Sequence, residues 1–189
     1  MQQNQNTVPD LPRHVLWLTV LVAASIAFTF SFTCAVPFAA FAAATTLTLN
    51  TRDAVLLTAA LWLANQIIGF GLMGYPWDGS TLLWGAVLGV VALLSTAAAR
   101  IVSTQVTRRS YGVVLVLSFA AAFVVYEGSL YIVSAAWLGG TEDFAGSIVA
   151  YIAGLNILAF IGLLILERLG RMVGLAAVPS LAIVTPRHA

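Results

Sequence analysis

The sequence predicts an all-α integral membrane protein, a bundle of six transmembrane helices with both chain termini on the cytoplasmic side. Of its 189 residues, 61% are hydrophobic and only 8% are charged, whereas a soluble domain usually has about 25% charged residues. Several apolar stretches also approach the ~20 residues that an α-helix needs to cross a bilayer. The chain length permits one compact bundle and no separate soluble domain.

The apolar stretches define the predicted spans in order. They cover residues 15–33, 35–49, 53–74, 80–99, 111–137 and 144–166. The first stretch is longer than the apolar region of a signal peptide, so it predicts an uncleaved helix. The second is short, and Pro37 near its start is tolerated in the first turn of a helix. The alternative is one bent helix over residues 15–49, which leaves five spans.

The distribution of arginine decides between six spans and five, because cytoplasmic loops carry an excess of basic residues. With six spans, all eight basic residues fall on one side, and the opposite loops hold only Asp78, Glu142 and Asp143. With five spans, Arg13 lies opposite to the other seven. Six spans therefore give the predicted organisation. It consists of a polar tail over residues 1–12, a transmembrane domain over 13–170 and a cytoplasmic tail over 171–189.

Capping residues stand near three of the predicted helix starts. Side chains such as Asn, Asp, Ser and Thr accept a hydrogen bond from the free N–H groups of a first turn. The candidates are Asn50 or Thr51 for the third helix, Asp78 or Ser80 for the fourth, and Thr141 for the sixth.

Small residues recur four positions apart on three of the predicted helices. Such stripes let helices approach closely in a membrane, either within the bundle or against another membrane subunit. They comprise Ala35, Ala39 and Ala43 in the second helix, Gly85 and Gly89 in the fourth, and Gly146, Ala150 and Gly154 in the sixth.

Polar and aromatic residues gather toward the outer half of the predicted bundle, whereas the inner half has almost none before the arginines. Asn65 and Gln66 lie in the outer half of the third helix, and Glu127 is the one acidic residue away from the ends of its span. An ionised carboxylate at mid-membrane costs roughly 2.5–3.5 kcal/mol and usually faces the protein interior or a water-filled cavity. Because adjacent helical residues point about 100° apart, one amide should face this interior and the other a neighbouring helix.

We therefore predict a ligand-binding site on the outer side of the bundle. Each member also has a structural alternative: interhelical hydrogen bonding for the amides and the buried acid, helix capping for Asp78, an interfacial belt for the aromatic rings, and simple burial for Cys34. The predicted ligand-binding residues are Cys34, Asn65, Gln66, Phe70, Tyr75, Trp77, Asp78, Glu127, Tyr131, Tyr151 and Asn156.

The composition excludes several function classes. The basic residues are all arginine, so no lysine is present for a retinal Schiff base or for a phosphate-binding loop. His14 and His188 lie near the chain ends, which leaves no His within a span for haem ligation or for a serine-type intramembrane protease. The single cysteine excludes an intrachain disulfide. A net charge of +1 gives no case for nucleic-acid binding. We expect a protein that is not an enzyme and has no built-in cofactor.

Six short helices in about 20 kDa, alanine-rich first helices and an outward-facing polar region resemble the substrate-binding membrane subunits, or S-components, of energy-coupling-factor vitamin transporters. The resemblance implies a bacterial inner (cytoplasmic) membrane and capture of a vitamin from the periplasmic face, with the lipid bilayer as a partner. Release inward would be driven by an ATP-driven coupling module or carried out by the protein alone. That family docks on its coupling subunit through a patch of small residues near the first helix. Ala23 with Ala27, or the stripe that begins at Ala35, would be the counterpart here.

Within this family, some solitary proteobacterial members for cobalamin bind cobalt through a cysteine. Cys34, in the sequence FTCAVPF, resembles that ligand and is the predicted axial ligand of a transported corrinoid. The ligand would enter between the loops at residues 73–80 and 138–143. The alternative function is that of a non-catalytic assembly factor or small subunit of a larger membrane complex, for which the small-residue stripes are suited.

Overall fold

A computed structural model of the protein describes residues 11–31, 36–106 and 108–177, and every regular element in these ranges is helical. A π-helical turn, Ser134–Leu138, extends the fifth helix, and a 3-10 turn, Thr141–Phe144, precedes the sixth. The helices are α1 Leu11–Ser31, α2 Phe38–Thr45, α3 Thr51–Gly71, α4 Gly79–Gln105, α5 Tyr111–Val133 and α6 Gly146–Met172.

Five of these helices, α1, α3, α4, α5 with its π-helical turn and α6, are long and apolar enough to cross a membrane. The chain is therefore a multi-pass membrane protein. The helix in the second predicted span differs, because α2 has eight residues and a length of about 12 Å. A hydrocarbon core is about 30 Å thick, so α2 does not cross it alone.

The short α2 fills the centre of the bundle. All eight of its residues are buried, and it packs against α3, α4, α5 and α6. Its alanines allow close approach, since Ala39 and Ala42 lie in one buried cluster with Ala99 and Ala122. Ala39 and Ala43 therefore pack inside this protein and offer no surface for another subunit. Ala35 lies outside the described residues.

Contacts between the long helices fix their directions. The Nε2 atom of His14 lies 2.9 Å from Oδ2 of Asp53, which joins the start of α1 to the start of α3. These two helices are therefore parallel, and α2, which lies between them in the chain, packs at the bundle centre. Seven of the eight arginines lie toward the same end, which we call the basic end: Arg13, Arg52, Arg100, Arg108, Arg109, Arg168 and Arg171.

The opposite end, which we call the aromatic end, carries the acidic loops. The loop before α4 holds Trp77 and Asp78, and the connection between α5 and α6 holds Trp137, Glu142 and Asp143. Exposed tryptophans are typical of the membrane–water interface. The bundle thus has two chemically distinct ends.

Bulky side chains pack directly against glycines at two helix contacts. On α4, the indole Nε1 of Trp62 donates a hydrogen bond to the carbonyl of Gly85 at 2.8 Å, and a Cβ added to Gly89 would lie 2.9 Å from the same indole. On α6, a Cβ at Gly170 would lie 2.6 Å from the ring of Trp17. The Gly85–Gly89 stripe therefore serves packing within the bundle.

Two of the three predicted caps are confirmed. The Asp53 N–H donates to Oδ1 of Asn50 at 2.9 Å, and the Thr81 N–H donates to Oδ1 of Asp78 at 2.8 Å. The prediction for Thr141 is wrong. Thr141 begins the 3-10 turn, and α6 starts after Ala145 without a side-chain cap.

Candidate ligand-binding site

Three of the predicted site residues are buried polar side chains, each on a different helix of the bundle. Asn65 on α3 and Glu127 on α5 are each 9% exposed, and Asn156 on α6 is 4% exposed. Each belongs to the buried face of its own helix. We call these three residues the interior polar group.

Ring contacts relate Glu127 and Asn156 to the start of α2. The ring of Phe38, the first residue of α2, lies 6.0 Å from that of Tyr126, so Glu127 is level with the amino end of α2. The rings of Phe119 and Phe160 stack at 4.8 Å. Because α5 and α6 run in opposite directions, that contact sets Asn156 nearer to the basic end than Glu127. The difference is about one helical turn, or about 6 Å along the bundle axis.

Asn65 lies at a similar level on α3. The hydroxyls of Thr58 and Thr96 lie 2.8 Å apart, and Ser95 bonds the carbonyl of Ala122 at 2.7 Å. By this register, helical rise sets Asn65 within about 2 Å of the level of Glu127 along the bundle axis. Along that axis, the three residues therefore lie within about two helical turns of the amino end of α2.

Two atoms of this group have no hydrogen-bond partner in the part of the chain that the structure describes. They are Oε1 of Glu127 and Oδ1 of Asn156. The amide nitrogen of Asn156 donates only within its own helix, to the carbonyl of Ile152 at 3.1 Å. More than nine-tenths of buried polar atoms in proteins are paired, and an unpaired one costs about 1–3 kcal/mol. The group therefore retains binding capacity toward a further molecule.

The amino end of α2 adds a further polar feature at this level. Pro37 occupies the N-cap position and supplies no side-chain hydrogen bond, so the first-turn N–H groups of α2 are not capped by a side chain. A helix amino end carries about half a positive charge, which stabilises a nearby carboxylate by about 0.3–1 kcal/mol. The side chain of Glu127 is the acid at this level.

Gln66 points away from the interior polar group. A Cβ added to Gly85 of α4 would lie 2.6 Å from Oε1 of Gln66, so this side chain packs on α4 while Asn65 is buried in the interior. The two adjacent amides thus have different surroundings, and which of them faces a ligand stays a prediction. Gln66 lies in an apolar groove of about 440 Å³ between α3 and α4, lined by Trp62, Gln66, Ile67, Phe70, Gly71, Trp77, Leu82, Gly85 and Ala86.

Three of the predicted aromatic residues form one cluster where α3 ends. The ring of Phe70 lies 4.7 Å from that of Trp77 and 6.0 Å from that of Tyr75. Tyr75 folds back on Gly69, where an added Cβ would lie 2.7 Å from its ring. Trp77 is 74% exposed, so the cluster presents one large aromatic face at the aromatic end.

Three of the remaining predicted residues are exposed. Tyr131 is 50% exposed with its ring 5.4 Å from that of Phe144, and Tyr151 is 66% exposed. Asp78 is exposed, and its hydrogen bond from the Thr81 backbone lowers the pKa of the Asp78 carboxyl below its ordinary value. Cys34 lies outside the described residues.

Sequence reasoning missed buried polar groups in the basic half of the bundle. The hydroxyls of Thr58 and Thr96 lie 2.8 Å apart between α3 and α4, and the hydroxyl of Ser95 donates to the carbonyl of Ala122 at 2.7 Å. The expectation of an almost apolar inner half was therefore wrong. Helical spacing was the available signal, because Thr58 lies on the face of α3 that also carries Leu61 and Asn65.

Glu167 was also missed. It is 3% exposed on α6, and its Oε1 accepts a hydrogen bond from Nη1 of Arg171 at 2.9 Å, while its Oε2 is buried without a partner among the described residues. It stands one residue beyond the predicted sixth span, so its position in the sequence suggested a membrane interface. The pair lies at the basic end, more than ten residues along α6 from Asn156.

Among the residues that the structure describes, no group of three or more His, Cys, Asp or Glu side chains is placed to hold a metal ion. The interior polar group, with one carboxyl and two amides, is suited to hydrogen bonding with a small molecule.

Comparisons of the chain with protein families, curated proteins and solved structures find no match. What the interior polar group can bind therefore follows from its geometry and its chemistry.

Proposed function

We propose that the protein is a transport protein of a bacterial inner membrane that binds a vitamin-type small molecule from its aromatic end. The observation that carries the proposal is the pair of unpaired, buried polar atoms on Glu127 and Asn156 at the amino end of α2. Intramembrane ionisable groups face a pathway or a ligand by default.

The proposed orientation has the basic end in the cytoplasm, because basic residues concentrate on that side of a membrane. The start of α1 at Leu11 and the end of α6 at Met172 then both lie on the cytoplasmic side, as in a protein that crosses six times. In this arrangement the segment that contains α2 supplies the second crossing together with its flanking residues. The ligand enters from the periplasm between the loops at 73–80 and 138–143.

In the proposed mechanism, the aromatic cluster of Phe70, Tyr75 and Trp77 covers the apolar body of the ligand at the entrance. Asn65, Glu127 and Asn156 then hold its polar part by hydrogen bonds. Transport to the basic end requires the hydroxyl contacts of the basic half to open, together with the packing around α2. Either an ATP-driven coupling module drives that step, or the protein carries it out alone, as the resemblance to solitary members implies.

Cobalamin is the first ligand to test, with Cys34 as the axial ligand of its cobalt. A thiolate is a soft metal ligand, and coordination deprotonates the thiol. This specific form of the proposal rests on the resemblance to solitary cobalamin S-components. The metal belongs to the transported molecule and not to the resting protein.

The test is absorbance and mass spectrometry of the detergent-purified protein, expressed with and without added cobalamin. Wild type is compared with Cys34→Ala and Asn156→Leu, and Ser118→Ala is the matched control because Ser118 is buried in the basic half of α5. We expect a corrinoid in wild type and in the control. We expect Cys34→Ala to lose the spectral signature of thiolate ligation and Asn156→Leu to retain less ligand.

The outcomes separate the two parts of the proposal. If Cys34→Ala binds a corrinoid with an unchanged spectrum, cobalamin remains the proposed ligand and Cys34 is rejected as its axial ligand. If wild type instead contains a different small molecule that is depleted in Asn156→Leu, the transport proposal stands and cobalamin is rejected as the ligand. Purified protein without any bound or bindable small molecule would overturn the transport proposal.

A second candidate function is favoured by one surface of α6. A Cβ added to Gly146 or to Gly154 would meet no atom within 4 Å, and Ala150 between them is exposed. Small residues on an open helix face are suited to docking another membrane helix. We propose assembly with a membrane subunit as the alternative, tested by whether Gly154→Leu releases a co-purifying membrane protein while Gly112→Leu on α5 does not.

A further inference from the structure

The aromatic half of the bundle is negatively charged. The loops at that end carry Asp78, Glu142 and Asp143, Glu127 lies beneath them, and the described residues of this half include no arginine, lysine or histidine. A ligand that enters from this end therefore meets carboxylates before any cation. Opposite charges at an entrance raise the local concentration of a charged ligand.

Arg100 is the arginine nearest to Glu127 along the bundle axis among the described residues, and it is too distant to pair with it. The contact between Ser95 and the carbonyl of Ala122 sets the register of α4 and α5. By that register, Arg100 lies about 15 Å from the level of Glu127. Its guanidinium donates at 3.0 Å to the carbonyl of Leu49, further toward the basic end. Arg100 therefore does not serve as a counter-ion for Glu127.

The amino end of α2 does not replace that counter-ion. It contributes about half an elementary charge, against a full negative charge on an ionised Glu127. The local charge around the interior polar group therefore stays negative when Glu127 is ionised. A bound cation would complete the neutralisation and would offset the roughly 2.5–3.5 kcal/mol that a carboxylate costs at this depth.

Aromatic rings also lie in the aromatic half of the bundle. Phe38 and Tyr126, the residue before Glu127, have ring centroids 6.0 Å apart, and the cluster around Phe70 presents further rings at the aromatic end. The faces of aromatic rings attract a cation within about 6 Å and contribute about 0.5–2 kcal/mol each. An anionic ligand would be repelled by both the carboxylates and the ring faces.

We infer that the ligand presents a positively charged centre to Glu127. This inference rests on the proposed function and names its substrate class: small molecules with a cationic centre, such as an organic ammonium or pyridinium nitrogen or the cobalt(III) of a corrinoid. Vitamins whose polar end is a carboxylate are excluded from the site. Glu127 pairs with the cation, and Asn65 and Asn156 bind neighbouring donors or acceptors of the ligand.

A matched series of three pyridines tests the charge preference on the detergent-purified full-length protein. 1-Methylnicotinamide is cationic, nicotinamide is neutral and nicotinate is anionic, on the same ring. By calorimetric titration we expect the cation to bind at least about ten-fold more tightly than the neutral compound, a difference of about 1.4 kcal/mol. We expect the anion to bind least tightly.

Substitution then identifies Glu127 as the source of the preference. Glu127→Gln keeps the size and hydrogen-bonding ability of the side chain and removes its charge, so we expect the cation and the neutral compound to bind equally. Ser118→Ala, about two and a half turns away on the same helix, should leave the preference unchanged. Thermal unfolding of each variant verifies that it is folded.

Several results would overturn the inference. One is that wild type binds nicotinamide or nicotinate as tightly as 1-methylnicotinamide, or more tightly. Another is that the preference for the cation survives in Glu127→Gln. A third is that none of the three compounds binds at millimolar concentration. Mass spectrometry of the purified protein separates this failure from that of the proposed function. A co-purified vitamin with a carboxylate at its polar end would overturn the inferred preference for a cation and leave the transport proposal intact. A protein that neither contains nor binds any small molecule would overturn both.

Discussion

At the scale of single residues, binding and folding make opposite demands on Asn156. Its Oδ1 is buried without a partner among the described residues, so the side chain destabilises the ligand-free protein. We expect Asn156→Leu, which removes the amide at similar volume, to raise the thermal midpoint of the ligand-free protein by about 2–4 °C, or about 1 kcal/mol. The same variant should lose most ligand binding. Thermal unfolding in detergent measures the first effect, and a fall in the midpoint would indicate that Asn156 has only a structural role.

Asp78 is the residue whose titration is expected to affect stability in acid. Its pKa lies below the ordinary 3.8 because the Thr81 N–H bonds the carboxylate. A carboxyl with a lowered folded pKa stabilises the fold above its unfolded pKa, and this contribution is lost as the pH falls through the folded pKa. We expect the thermal midpoint of wild type to fall more between about pH 5 and about pH 3 than that of Asp78→Asn, which keeps a neutral cap. Identical pH profiles for the two proteins would refute this.

At the scale of helices, two glycines of α6 with opposite surroundings test the packing. At Gly170 an added Cβ would lie 2.6 Å from the ring of the buried Trp17, whereas at Gly154 it would meet nothing within 4 Å. We expect Gly170→Ala to destabilise the protein by about 1–3 kcal/mol through overpacking. Gly154→Ala, the matched control, should be neutral or stabilise by up to about 1 kcal/mol, because alanine restricts the unfolded chain. Chemical denaturation in detergent compares them, and equal effects would contradict the packing.

The helices also show which features the sequence could predict. The five long helices followed from length and hydropathy, which depend only on apolar residues in sequence. The short α2 did not, because the residues FAAFAAAT are equally apolar whether they face lipid or other helices. The burial of Asn65, Glu127 and Asn156 followed from the cost of polar groups in a membrane. Their similar level along the bundle axis could not be predicted, because residue spacing within one helix does not determine how neighbouring helices are aligned. The ring contacts of Phe38 and Phe119 in the structure supply that alignment.

At the scale of the whole molecule, charge separates the two ends, and this separation predicts the orientation in the membrane. Basic residues are retained on the cytoplasmic side during insertion, so the end with Arg108 and Arg109 should lie inside. We expect Glu142→Cys, in a Cys34→Ala background, to react with a membrane-impermeant maleimide in intact cells. Arg109→Cys in the same background should react only after the membrane is permeabilised. The reverse pattern would place the acidic loops in the cytoplasm, and a ligand captured by Glu127 would then be one that the cell exports.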